Sequence, residues 1–391
     1  MHCGFSKHIE HFADDFLYGY IKNENKEVKT SMSLLEKLKK NSTIKESSIL
    51  STSKFFTKKD MVTTPIPALN VALSGRLDGG LTPGLTLFCG PSKHFKSLFS
   101  LILAKAYMDK YPDSVLIFYD CEFGTPEAYF NSLNIDKERV IHTPIMNMEE
   151  FKFDVMKQLE SLSRGDKVIF VIDSLGNMAS KKETEDAIEG KGTTDMSRAK
   201  QMKSIFRMIT PYLVKLDIPM VAVNHIYMTQ EMFSKPVVSG GTGIYLSADN
   251  IFILGRQQEK EGSDLAGYSF IINVEKSRHT IEKTKIPVTV KFEGGLSKWS
   301  GLLEMALESG HVVKPSNGWY SKVNTETGEI EDKKYRAKET DSKDFWSSII
   351  TDHTFINWVK ENYQISNGTL ISDDEIVETF SDEDEEDILL D

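Results

Sequence analysis

Apolar residues in the middle of this chain fall in short runs, and between the runs they recur at helical spacing. Leu85–Cys89, Val115–Tyr119, Val168–Ile172 and Met220–Val223 are nearly continuous apolar stretches, which predicts strands covered on both faces, as in a parallel sheet. Ile251–Leu254 predicts a fifth strand. Phe151, Val155, Leu159 and Leu162 line one face of a helix behind Asn147, and Met202, Ile205, Phe206, Ile209 and Leu213 do the same behind Asp195. Asn147 and Asp195 are suitable N-caps for these helices. Another helical pattern, Leu98 to Met108, follows the first run. Strands alternating with helices over residues 61–300 predict an α/β core with a mostly parallel central sheet flanked by helices. Ser269–Val274 and Ile286–Phe292 add two strands, joined like a hairpin at the sheet edge.

Outside this core the pattern thins. Residues 1–31 hold one weak apolar cluster (Phe12, Phe16, Leu17, Tyr20) and predict no defined role. In residues 32–60, Leu34, Leu35 and Leu38 predict a short helix, followed by a Ser/Thr-rich linker that ends in Ser53-Lys54-Phe55-Phe56. Two adjacent Phe on a linker predict docking, either on the chain's own core or on a neighbour. Residues 301–365 predict a small C-terminal region. It has a helix from Leu302 to Leu307 that stops near Gly310, Trp319 and Tyr320 in a polar turn, a charged loop over Glu326–Glu339, and one helix from Phe345 to Tyr363.

Charge separates the tail from the body. The formal net charge is −11, yet 12 Asp and Glu and no Lys or Arg lie beyond Lys360, so the first 360 residues sum to +1. Residues 366–391 therefore read as an acidic, disordered tail. Such a tail either competes with a polyanion for a basic groove or is simply solvated. No apolar stretch reaches the roughly 20 residues needed to span a bilayer, and Met1–Glu10 carries His, Lys and Glu rather than the apolar core of a secretory signal. Cys3, Cys89 and Cys121 lack metal-ligand spacing and read as reduced thiols of a cytoplasmic protein.

The candidate chemistry begins at Gly90-Pro91-Ser92-Lys93-His94-Phe95-Lys96-Ser97, between the first strand and the first helix. A loop placed there points backbone N–H groups and a helix N-terminus at one spot, which favours a phosphate. Lys96 can reach the outer phosphates of a nucleotide such as ATP, and Ser97 can hold Mg²⁺. Phe95 stands where a phosphate loop usually has Gly. In an open parallel sheet ligands bind beyond the C-terminal ends of the strands, which brings three further strand ends into play. Glu122 follows the second strand and can orient or deprotonate an attacking water. Asp173 ends the third and can hold Mg²⁺. Asn224-His225 ends the fourth and can hydrogen-bond a γ-phosphate.

Two long loops flank these ends, at about 176–194 and 226–246. They carry Lys181, Lys182 and Lys191 in the first, and Tyr227, Met228, Phe233, Lys235, Gly240 and Gly241 in the second. Lysines and aromatics on mobile loops beside a nucleotide suit single-stranded nucleic acid. Disordered surface loops are the plainer reading. Tyr129 either stacks on a base or packs within its helix. Lys276 and Arg278, after a late strand, read as cations supplied across a subunit boundary or as a surface pair.

Taken together these segments resemble the RecA family of recombinases, most closely the UvsX recombinases of tailed phages, over roughly Leu34 to Trp346. The resemblance is carried by Ser53–Phe56, the octet Gly90–Ser97 with its Phe before the Lys, Tyr119–Gly124, Ile172–Asn177, Ala179–Asp186, Asn224-His225, Gly240–Gly243 and Val274–Arg278. It implies a RecA-like fold and makes Glu122 the catalytic base and Tyr129 the adenine-stacking residue. His225 stands where RecA proteins have a γ-phosphate-sensing glutamine. Lys276 and Arg278 would reach the ATP of the next protomer, the two loops would bind DNA, and Phe55-Phe56 would dock on a neighbouring subunit. The family pattern starts near Met32, which makes residues 1–31 an extension and Met32 an alternative start.

The implied function is DNA-stimulated, Mg²⁺-dependent ATP hydrolysis by a helical filament. The filament forms on single-stranded DNA and pairs it with homologous double-stranded DNA, in the cytoplasm of the infected host. A recombination mediator and a single-strand-binding protein are the implied partners. The rivals are a hexameric helicase on the same core, a non-hydrolysing ATP-switched DNA scaffold and a small-molecule kinase.

Overall fold

The apolar runs form the middle of a nine-stranded sheet in a computed structural model that describes residues 34–55, 59–191, 197–230, 233–261, 263–292, 295–325 and 327–366. Contacts divide the chain into two units, residues 1–58 and 59–391. In the first, helix α1 covers 34–41 with Leu34, Leu35 and Leu38 exposed, and a 3-10 turn covers Leu50–Thr52. Phe55 is 39% exposed, whereas Phe56 lies outside the described residues.

The second unit opens with α2 (Pro67–Ser74), β1 (Gly84–Cys89), α3 (Lys96–Lys110), β2 (Val115–Asp120), α4 (Glu127–Ser132), β3 (Val140–Pro144), α5 (Met148–Ser161) and β4 (Val168–Asp173). It continues with α6 (Lys181–Ile188), α7 (Ser197–Leu216), β5 (Pro219–Asn224), β6 (Ile226–Met228), β7 (Pro236–Val238), α8 (Thr242–Ser247), β8 (Asn250–Glu261) and β9 (Asp264–Lys276). It closes with β10 (Lys285–Lys291), β11 (Gly295–Leu296), α9 (Leu302–Glu308), β12 (Val312–Ser316), β13 (Trp319–Lys322), β14 (Tyr335–Arg336), α10 (Lys343–Ile349) and α11 (His353–Tyr363).

The sheet order is β11-β10-β9-β8-β1-β5-β4-β2-β3. Strands β8, β1, β5, β4, β2 and β3 are parallel, and β9, β10 and β11 complete one edge antiparallel. Alternation along the strands splits the core. Leu85, Leu87 and Cys89 of β1 face α5 and α7, while Phe88 faces the α2 and α3 side. On the first face the α5 residues Phe151, Val155 and Leu159 meet Met202, Ile205, Phe206, Ile209 and Leu213 of α7, all buried. The Asn147 side chain accepts from the Glu150 N–H at 2.9 Å and caps α5. Replacing Asn147 with Ala is expected to cost about 1 kcal/mol, read as a lower urea midpoint. The predicted cap of α7, Asp195, lies outside the described residues.

Several boundaries differ from the sequence reading, each for a physical reason. The central strand over Ile251–Leu254 runs on to Glu261, and its partner begins at Asp264. The polar half, Gln257 to Lys260, runs past the end of β1 and pairs with β9, which β10 continues on its far side as far as Lys291, and it has no apolar signal of its own. Trp319 and Tyr320 are not in a turn: they lie in β13, the middle strand of the sheet β12-β13-β14. The predicted loop over Glu326–Glu339 supplies β14. The helix predicted from Phe345 to Tyr363 breaks between α10 and α11, where the Asp352 side chain accepts from the Thr354 N–H at 2.8 Å and starts a new helix. The first long loop contains α6, and the second contains the hairpin β6–β7 and helix α8.

Candidate nucleotide site and nucleic-acid loops

Register brings the candidate groups together. Cys89 pairs with Asn224, and Asp120 pairs with Asp173, so β1, β5, β4 and β2 end on one edge of the sheet. From that edge rise the phosphate loop, Glu122, Ser174 and His225. All are separate in sequence and meet only because the strands are parallel and in step.

The phosphate loop runs from β1 into α3, whose first residue is Lys96. Phe95 occupies the N-cap with φ 55° and ψ 24°, a left-handed backbone. That is the conformation for which glycine is the default residue, and it explains why the position is usually Gly. Lys96 is buried, and its Nζ donates to the Pro91 carbonyl at 2.8 Å. Burial pushes its ammonium below the ordinary lysine range, and the carboxylates of Glu122 and Asp173 oppose that shift. The cation is thus held ready at the loop with two carboxylates facing it.

Glu122 is the centre of a small network. Its Oε1 lies 3.0 Å from His225 Nε2 and also accepts from the Ser174 hydroxyl. These hydrogen bonds, His225 first, hold its carboxyl below the usual range against partial burial. The turn that carries Glu122 is fixed from below by buried Asp120, whose Oδ1 accepts from the N–H of Glu122 at 3.2 Å and of Phe123 at 2.7 Å. The sequence reading does not single out Asp120 or Ser174, although Ser174 directly follows Asp173 and Asp120 lies two positions before Glu122. A short acid two positions before a turn amide is the signal for the first.

Asp173 is 3% exposed, and burial raises its pKa. Its Oδ2 accepts from the Thr125 hydroxyl, and the Ser97 hydroxyl approaches the same carboxylate. Oδ1 is buried without a hydrogen-bond partner among the described residues. A buried acid with an orphaned oxygen beside a hydroxyl fits a hydrated divalent cation, which would supply the missing partner and stabilise the charge. The peptide between Asp173 and Ser174 is cis.

His225 links this cluster to the second loop. Its carbonyl accepts from the Ser239 N–H at 3.0 Å, closing the base of the β6–β7 hairpin. Asn224 does not reach toward a phosphate: its amide is spent on the Ser239 carbonyl at 2.8 Å and the His225 N–H at 2.9 Å. The hairpin lifts Tyr227, Met228 and Phe233 into solvent, Phe233 at 79% exposure. Lys235 is exposed beside the tip. Gly240 and Gly241 follow with φ of 97° and 79°, and Gly241 caps α8.

The first loop packs against the same histidine, because a Cβ on Gly176 would fall 2.1 Å from His225 Cδ2. Arg198 of α7 steadies this base by donating to the carbonyls of Leu175, Gly176 and Met178. Lys181, Lys182 and Lys191 are exposed, although Lys181 pairs with Glu185 at 3.7 Å and Lys191 pairs with Glu189.

Tyr129 lies on α4, with its ring 6.4 Å from that of Phe95. It therefore borders the phosphate loop, as a base-stacking residue must. Lys276 and Arg278 do not join the cluster. Lys276 pairs in register with Ile251 at the start of β8, and Arg278 binds Asp249, which also accepts from the Leu85 N–H. They stand further back along the strands than Gly90: Lys276 is level with Leu87 of β1, about 10 Å back, and Arg278, on Asp249, is level with Leu85, about 17 Å back. The Lys276 ammonium instead donates to the carbonyls of Tyr245 at 2.8 Å and Leu246 at 3.2 Å, near the end of α8.

Among known proteins, residues 299–359 match the family model described as "Bacteriophage T4, Recombination and repair protein, C-terminal domain". Over 354 residues the chain is 51% identical to the recombination and repair protein of Enterobacteria phage T4, covering 90% of each chain. It is 22% identical over 269 residues to protein RecA of Syntrophus aciditrophicus, covering 67% of this chain and 75% of that one. Protein RecA of Listeria monocytogenes is 24% identical over 270 residues, covering 68% and 73%.

Proposed function

The chain belongs to the family of the phage T4 recombination and repair protein. On that premise we propose that it is a DNA-dependent ATPase that assembles on single-stranded DNA and exchanges it with a homologous duplex. The observation that carries the reading is the Glu122–His225 contact, 3.0 Å, which ties the hydrolytic edge directly to the hairpin over 226–238. In this reading Lys96 and the loop amides of Gly90–Ser97 hold the phosphates, Tyr129 stacks on adenine, and Glu122 takes the proton of the attacking water. Ser97 and Asp173 would hold Mg²⁺, which supplies charge neutralisation to the β- and γ-phosphates.

His225 reports the γ-phosphate. When Glu122 and His225 reorganise around it, the base of the hairpin moves with them, and Tyr227, Met228, Phe233 and Lys235 engage DNA. Lys181 and Lys191 of the first loop add phosphate contacts once they exchange Glu185 and Glu189 for the polyanion, and exposed Lys182 adds another. Such coupling requires ATP to favour the DNA-binding arrangement over the other.

Assembly is head to tail. Beyond α4, β3 is the last strand of the sheet among the described residues, which leave one of its edges unpaired, and Ile141 is exposed. The segment around Phe55 and Phe56 of another copy suits such an edge. A heterologous contact of this kind generates an open helix when rotation does not close. Loading with a mediator onto strands coated by a single-strand-binding protein, in the cytoplasm of the infected host, belongs to the same reading. Among the described residues no helix is long and apolar enough to cross a membrane.

ATP hydrolysis measured with and without single-stranded DNA, with electron micrographs of the same samples, tests the proposal. Stimulation together with helical filaments is the expected result. Closed rings would point to a helicase, and indifference to DNA would remove the role given to the two loops.

A further inference from the structure

Two non-glycine residues of the phosphate loop, Lys93 and Phe95, hold left-handed backbone with φ of 61° and 55°. This conformation strains any residue with a Cβ, and glycine avoids the strain. A loop of this shape therefore needs either glycine before Lys96 or contacts that hold a side chain in place. Here the contacts exist. The Phe95 ring lies 4.9 Å from Phe270 of β9 and 6.4 Å from Tyr129 of α4, the latter pair within 23° of parallel. Phe270 is followed by Tyr268 at 6.2 Å, and the Arg256 guanidinium sits 4.7 Å over the Tyr268 ring. Arg256 closes the circuit by donating to the Lys93 carbonyl at 3.3 Å. Both strained positions are tied to the β8–β9 pair, one through a ring and the other through a carbonyl.

We propose that Phe270, Tyr268 and Arg256 brace the phosphate loop from outside, and that Phe95 is the positioning residue through which this brace acts. The loop is then shaped before nucleotide arrives, and Tyr129 is stacked against the same ring, so the base and phosphate contacts form one unit. The proposal rests on the nucleotide reading above and adds to it a function for the β8–β9 pair. Preorganisation lowers the cost of binding, so the effect falls on affinity and KM more than on kcat.

The test compares the full-length protein with Phe95→Gly, Tyr268→Ala and Lys96→Ala variants. Equilibrium binding of ATP and of inorganic tripolyphosphate is measured in Mg²⁺ buffer, with steady-state hydrolysis on single-stranded DNA. Glycine relieves the strain at position 95, so a Phe95 that merely fills space gives unchanged or tighter binding in Phe95→Gly. The brace gives the opposite: both ligands weaken about tenfold in Phe95→Gly and about threefold in Tyr268→Ala, although Tyr268 lies outside the loop.

Wild-type affinity for both ligands in Phe95→Gly overturns the brace. Lys96→Ala separates the two levels of argument. If it loses tripolyphosphate while Phe95→Gly does not, the brace alone fails. If it binds tripolyphosphate as tightly as wild type, the nucleotide site itself has been misplaced, and the brace falls with it.

Discussion

Replacing Glu122 with Gln is expected to reduce ATP turnover roughly 10²–10⁴-fold while ATP and single-stranded DNA still bind. The amide fills the same space and keeps an oxygen for the Ser174 hydroxyl and for His225 in its donor form, so the network of Glu122, Ser174 and His225 persists. Only the basic oxygen is lost. DNA binding in ATP should become longer-lived, because hydrolysis no longer resets the hairpin. The pH profile carries a second, signed expectation. Hydrogen bonds, that from His225 foremost, hold the Glu122 carboxyl below its ordinary range. The ionised base therefore persists as pH falls, and the acid limb of kcat/KM should lie below the usual carboxylate value. His225→Ala removes the largest cause and should move that limb upward. Anisotropy of labelled DNA, with phosphate release across pH, reads all three effects. Wild-type turnover in Glu122→Gln would remove Glu122 from the chemistry.

The central strands were legible because burial on both faces leaves a continuous apolar run, and β4 is buried at every position. Strand β3 was not, because it lies at the sheet edge and His142 and Thr143 interrupt its apolar pattern. Helix α6 also escaped notice. It buries no residue and so has no apolar stripe, yet the Ser180 side chain accepts from the Glu183 N–H at 3.0 Å, and this Ser-x-x-Glu pattern was a readable start signal. At the site, Glu122, Asp173 and His225 stood out as candidates because each lies within three positions after an apolar run. Their partnerships were not, because Glu122 meets Ser174 and His225 across 52 and 103 positions of sequence. Phe95 was legible as a departure from the usual loop. That its backbone is left-handed and its ring is held by β9 follows only from the folded β8–β9 pair, whose polar half carries no pattern to read.

Chains bearing Lys96→Ala and chains bearing Arg278→Gln, each nearly inactive alone, are expected to regain DNA-stimulated turnover when mixed. The reason is the separation of the two groups within one chain. Lys96 rises from the C-terminal end of β1, whereas Lys276 and Arg278 sit where the neighbouring strand β8 begins, toward the other end of the strands. In this chain Lys276 is held by the Tyr245 and Leu246 carbonyls and Arg278 by Asp249, so these cations are expected to serve catalysis where another copy brings its phosphate loop to them. Head-to-tail assembly does that at every joint. A cation supplied across the joint is worth about 10³–10⁵ in rate where it stabilises the transferring phosphate. In an equal, random mixture, about a quarter of joints pair an intact phosphate loop with intact cations, which sets the expected recovery.

Gln at position 278 keeps a donor for buried Asp249 but removes its counter-charge, so an unchanged urea midpoint of that variant is the control that separates lost catalysis from lost folding. Lys276 adds a consequence for DNA. Its ammonium holds the Tyr245 and Leu246 carbonyls, near the end of the second loop. Drawing it toward a neighbour's γ-phosphate releases them, so that loop would answer to the nucleotide on either side of the protomer, through His225 at one end and Lys276 at the other. Mixed filaments that form but stay inactive would reject the trans assignment. In that case the two cations are held where this structure shows them, and stabilise only their own chain.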